Sequence, residues 1–197
     1  MKTKLALGAA LLAAMCVPAF PADSADSTAE ARVEVVYSNP EKFTDVKDSM
    51  MPSERAREDY LTLIKEFLQE RGARVVPEGG KLVMTFTDID LAGDFEPWGG
   101  PQFNDVRVVK EIYPPRMNFS FKLTDASGAV LQEGERQLRD TSFQLSATPA
   151  FSSDSLRYEK GMLDNWLRSE FAKSKKTSKA KSEKKADAKR DGVADGS

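Results

Sequence analysis

The 197-residue chain carries 29 Lys/Arg against 31 Asp/Glu, no histidine and a single cysteine, Cys16. Imidazole catalysis, Cys/His zinc sites and an intramolecular disulfide are thereby excluded. The net charge of −2 conceals a division: residues 173–197 hold nine basic against four acidic side chains, and residues 20–172 hold eighteen against twenty-seven. An acidic body of this kind does not suit nucleic acid, whose affinity rests on basic groups that displace phosphate counterions.

In chain order, "MKTKLALGAALLAAMCVPAFPA" opens with two lysines and an apolar run from Leu5 to Val17. It predicts a secretory signal over residues 1–19, cut after Ala19 or, as a second choice, Ala22. Met15 before Cys16 is too bulky for a lipoprotein cleavage site. No later segment nears the ~20 apolar residues of a membrane span. The expectation is a periplasmic or secreted protein, with a polar leader over residues 20–31 and one folded domain over residues 32–172. About 150 residues suffice to bury close to 70% of the unfolded surface without disulfides.

Within the domain, "RVEVVYSNP" is β-branched and ends in an Asn-Pro breaker, predicting a strand from Arg32 to Ser38. "EKFTDVKDSMM" lacks a period and reads as a loop. Pro52 and Ser53 start a helix whose apolar positions Ala56, Tyr60, Leu63, Ile64, Phe67 and Leu68 recur until Gly72. After the Pro77–Gly80 turn, "KLVMTFTDIDLAG" is a strand with apolar residues on both faces of its first half, the mark of a central position. From Asp88 one face turns acidic, Asp88 and Asp90 lying opposite Ile89 and Leu91.

Residues Val106–Tyr113 and Met117–Thr124 read as one strand interrupted by "YPPR", whose two prolines belong at a bulge or an edge. Met117, Phe119, Phe121 and Leu123 face inward. "DASG" turns into a hairpin partner, "AVLQEGERQLRD". "SLRYEKGMLDNWLRSEF" gives a last helix with Leu156, Leu163, Trp166 and Leu167 on one side and Gly161 as a weak point. The sum is an α+β class: a small mixed or antiparallel sheet of about four strands with two helices packed on one face, a parallel pairing of the first two strands through the helix being allowed. From Lys173 onward, Lys, Ala and Ser without aromatics predict a disordered tail suited at most to anionic surfaces.

Four segments together resemble the family called domain of unknown function 3016: "FTDVKDS" (43–49), "TDIDLAGDFEPW" (87–98), "DVRVVKEIYPPR" (105–116) and "DASGAVLQEGERQLRDTSF" (125–143). A Trp-bearing last helix, here "MLDNWL", agrees, so the similarity spans residues 32–171. The resemblance implies an exported protein of Gram-negative bacteria and assigns no activity. Met50, Met51 and the basic tail look peculiar to this chain.

Two places carry candidate chemistry. Asp88, Asp90 and Asp94 could supply oxygens to a calcium-like divalent cation, or to a small metal-dependent hydrolase, although the spacing departs from a helix-flanked calcium loop. The plainer reading pairs Asp88 and Asp90 with Arg107 or Arg116 on the next strand and leaves Asp94 to end a turn. A glycosidase carboxylate pair is permitted by spacing and favoured by nothing else. The Ser-x-x-Lys matches, Ser178 with Lys181 and Ser182 with Lys185, fall in the low-complexity tail and carry no nucleophile argument.

The thirteen-residue loop "GDFEPWGGPQFND" is the stronger lead, because long ordered loops more often bind than merely connect. Phe95, Trp98 and Phe103 could anchor a partner beside Glu96, with Arg107, Tyr113 and Arg116 on the following segment. Alternatively the aromatics fold back, with Trp98 against "YPPR". The sequence thus reads as an exported, non-catalytic binding or accessory protein of the cell envelope. Its partner is an unidentified envelope protein or glycan, and it needs no cofactor.

Overall fold

A computed structural model describes residues 32–51, 53–100, 104–145 and 151–171. The signal, the leader, the tail, Pro52 and Phe103 lie outside them. Among the described residues there are six strands: β1 (Val33–Tyr37), β2 (Lys81–Asp90), β3 (Asp94–Phe95), β4 (Arg107–Val108), β5 (Arg116–Thr124) and β6 (Val130–Arg139). Helix α1 spans Glu54–Gly72, and α2 covers residues 157–171.

The main sheet has the order β1-β2-β5-β6. β1 runs parallel to β2, the connection passing through α1, while β2–β5 and β5–β6 are antiparallel. The fold is therefore α+β with a mixed four-stranded sheet and two helices, as the patterning predicts. Leu82, Met84, Phe86 and Ile89 on β2 are fully buried, and Met117, Phe119, Phe121 and Leu123 on β5 are at most 3% exposed. The helices cover this face with Ile64, Phe67 and Leu68 from α1 and Leu163, Trp166, Leu167 and Phe171 from α2. Trp166 stands edge-on to Phe119 and Phe121, at centroid distances of 4.8 and 5.4 Å. Each such side chain contributes about 1.5–3 kcal/mol through burial.

Ser53 caps α1, its hydroxyl accepting from the Ala56 N–H at 3.1 Å, which satisfies one orphan donor of the first turn. The buried stripe of α1 is Leu61, Ile64, Phe67 and Leu68; Leu63 is exposed instead. Core-facing residues thus follow 61, 64 and 68, with Leu63 on the flank of that stripe.

Two expectations need correction. Residues Val106–Tyr113 are not the first half of β5. Only Arg107 and Val108 form a strand, and they pair with Asp94 and Phe95 in a separate two-stranded sheet. Pro114 and Pro115 are buried and precede β5, so the prolines end a connection where a continuous strand would lack two donors. The loop from Gly93 is also less bare than it reads: it holds β3 and a 3₁₀ turn over Pro97–Gly99.

Candidate functional site

Beyond the carboxyl end of β2, several loops gather around one arginine. The segment after the Pro40–Lys42 turn runs alongside the end of β2, with a parallel bridge between Asp45 and Asp90. The Asp45 N–H donates to Ile89 O at 3.1 Å, and the Leu91 N–H donates to Asp45 O at 3.0 Å. Asp45 is 6% exposed. A carboxylate buried to that degree needs a cation with good geometry, and Arg107 on β4 supplies it as a two-pronged pair at 2.9 and 3.0 Å.

The same guanidinium donates to Gly93 O at 3.0 Å and Lys47 O at 2.7 Å, and it lies 4.7 Å from the centre of the Phe95 ring. Its planar fork suits several acceptors at once, where a lysine would be a single point charge. Gly93 makes the turn into β3 with φ of 84°, and a Cβ there would sit 2.9 Å from Val108 O. Glycine is thus required both by its left-handed backbone and by the approach of β4. The Gly93 N–H reaches Tyr113 O at 3.0 Å, and Met50 N–H reaches Asn104 O at 3.0 Å, so the 43–51 and 93–113 segments form one knit end.

On this base stands the Pro97–Gly99 turn. Glu96 before it accepts from Lys110 Nζ at 2.6 and 2.8 Å and from the Tyr113 hydroxyl at 3.1 Å. The Lys110 contact holds the Glu96 carboxyl below its ordinary range. Partial burial, with the Glu96 charge beside it, raises the Tyr113 phenol. Trp98, within the turn, is 74% exposed. It does not fold back onto the core. Ile112 (71%), Met51 (87%) and Val106 (45%) are exposed apolar residues of the same loops.

The remaining predicted site residues separate. Phe95 is 3% exposed and serves as the floor under Arg107, so it is not offered to a partner. Arg107 is the internal fastener of the loops. Arg116 pairs with Asp90 through Nε at 2.8 Å and Nη2 at 2.5 Å; burial pushes the Asp90 carboxyl up, against the pull of Arg116. Asp88 pairs with no arginine among the described residues: it accepts from the Thr44 N–H at 2.8 Å and the Thr44 hydroxyl at 3.0 Å. Asp94 accepts from the Phe95 N–H at 2.7 Å. The three candidate metal ligands therefore face three different donors. Among the described residues no cluster of three or more acids could hold a metal ion.

Sequence reasoning missed Glu159, on α2 and 2% exposed. Its Oε1 accepts from the Ala92 N–H at 2.6 Å, tying α2 to the corner where β2 gives way to the loop. Burial pushes this carboxyl up. The signal was present: Glu159 stands three residues after Leu156 and four before Leu163, inside the apolar stripe of the helix.

Fold and site together describe a two-layer α+β domain with a pinned loop end that presents a tryptophan. A family model described as a protein of unknown function (DUF3016) matches residues 31–169. The chain belongs to that family. No curated protein and no solved structure matches it.

Proposed function

We propose that this is an exported, non-catalytic binding or accessory protein of the bacterial cell envelope, recognising its partner through the 93–116 region. One observation carries the reading: Trp98 is 74% exposed on a turn whose flanks are fixed by Glu96, Lys110 and Tyr113 and whose base is fixed by Arg107. Ordering a large apolar side chain in water gives the fold nothing in return, whereas a pre-organised aromatic lowers the entropic cost of association. Aromatic anchors of this type dominate binding energy when a partner covers them.

The apolar run from Leu5 to Val17 supports export, and no described helix is long and apolar enough to cross a membrane. The test is Trp98→Ala in cells of the producing bacterium. Capture of the partner by in vivo cross-linking should fall by roughly 30-fold or more, while the melting temperature of the purified protein stays within about 2 °C of the parent. A large melting loss would make Trp98 a structural residue and overturn the proposal.

A further inference from the structure

The strand register lines up charges across the end of the main sheet. Asp45 bridges to Asp90, Asp90 is opposite Arg116, and Arg116 is opposite Arg139. Two acids are thus followed by two arginines, in one transverse row. Directly opposed residues share a face of the sheet, where like charges repel. Three members are compensated: Asp45 by Arg107, and Asp90 and Arg116 by each other. Arg139, the fourth, has no ion-pair partner among the described residues. Arg116 spends Nε and Nη2 on Asp90 and leaves Nη1 free of any described acceptor.

A cleft of about 290 Å³ opens here, its charged lining made of Lys47, Arg116 and Arg139 with Asp45, Asp90 and Asp94. Lys47 Nζ is 3.9 Å from the Asp45 carboxylate, which Arg107 already holds in two-pronged fashion. Among the described residues no cation pairs with Asp94, whose Oδ1 is engaged by the Phe95 N–H. The lining itself balances Lys47, Arg116 and Arg139 against Asp45, Asp90 and Asp94; Arg107, which holds Asp45 from outside the lining, tips the local balance to positive within an otherwise acidic body.

We propose that this cleft binds a small oxyanion, a phosphate or carboxylate group, held by Arg139 and the free edge of Arg116 with Lys47 opposite. A planar guanidinium pair matches such a group in geometry as well as charge, and the volume admits a small molecule or a single headgroup. The cleft shares Asp94, Tyr113 and Arg116 with the 93–116 region but is not lined by Trp98, and anion binding read through Arg139 can succeed or fail independently of partner capture through Trp98.

The test uses the mature chain with phosphate, succinate or chloride at matched ionic strength, followed by thermal unfolding. A ligand that binds only the folded form raises the transition by mass action. Phosphate or succinate should give a saturable rise that chloride does not. Arg139→Gln should weaken it about tenfold or more, whereas Lys122→Gln, an exposed cation elsewhere on the same sheet face, should leave it unchanged. A parallel flotation assay on phosphatidylglycerol and phosphatidylcholine vesicles separates the sources. Flotation confined to phosphatidylglycerol and reduced by Arg139→Gln identifies a lipid headgroup, and a response to free anions alone identifies a soluble ligand. Either supports the site. No response in any arm, or an equal response in the parent and Arg139→Gln, overturns it.

Discussion

The two ends of this domain are held by different physics. At the sheet and helix layer, Leu82, Met84, Phe86, Phe121 and Leu123 meet Ile64, Leu68, Leu163 and Trp166 in a continuous apolar cluster. Many residues share that load, and hydrophobic burial is non-directional. At the loop end, one guanidinium joins Asp45, Lys47 and Gly93 and covers Phe95. There the order is directional and concentrated in few groups. The difference teaches that the loop end can present Trp98 in a fixed place without a core of its own, at the cost of depending on Arg107.

Breaking the hub is the most severe way to test this contrast. Arg107→Met keeps an unbranched apolar side chain but leaves buried Asp45 with only the looser Lys47 contact at 3.9 Å, and should cost about 3–5 kcal/mol, measured by urea unfolding. That matches a full core truncation such as Leu82→Ala at about 2–5 kcal/mol. A loss below about 1 kcal/mol would show the loops to be held otherwise. Gly93→Ala comes next, at about 1–3 kcal/mol, since it adds a left-handed strain and a contact with Val108 O.

Glu159 joins the two ends and gives a smaller effect of opposite sign. Its folded pKa is raised above the ordinary 4.5 by burial, so its contribution to stability is fully present below that value and is lost as pH rises through the folded one. Glu159→Gln keeps an acceptor for the Ala92 N–H and removes the buried charge. It should melt a few degrees higher than the parent at pH 7 and lose that advantage by about pH 4. Asp90 is raised in the same direction, so the informative quantity is the difference between variant and parent across pH. The smallest effect belongs to Trp98→Ala, within about 0.5 kcal/mol in stability; a larger cost would erase the distinction between scaffold and presented residue.

Most of the sheet and helix layer is legible in the sequence because period and burial coincide there. The alternation of "MNFSFKLT" gives the inward face of β5, and the 3.6-residue pattern with Ser53 and Gly72 gives α1 almost to the residue. The loop end is not legible in this way. Asp45 and Arg107 are 62 residues apart, and nothing local in "FTDVKDS" says that its first aspartate is buried while Asp48 is exposed. Spacing alone pairs Asp88 with an arginine of the following strand, yet Asn118 stands opposite it on β5 and its carboxylate bonds to Thr44 of the 43–49 segment. Pairing of β3 with β4 depends on two residues from each strand, too few to leave a periodic trace.

The central claim is that the pinned loop end is the part of the molecule that meets a partner. Its most direct test is site-specific photo-cross-linking in intact cells, with the reactive side chain at position 98 and, in a second strain, at position 135 on the exposed edge strand. The expected result is one dominant adduct from position 98 that is absent from position 135. No adduct from position 98, or the same set from both, would contradict the account.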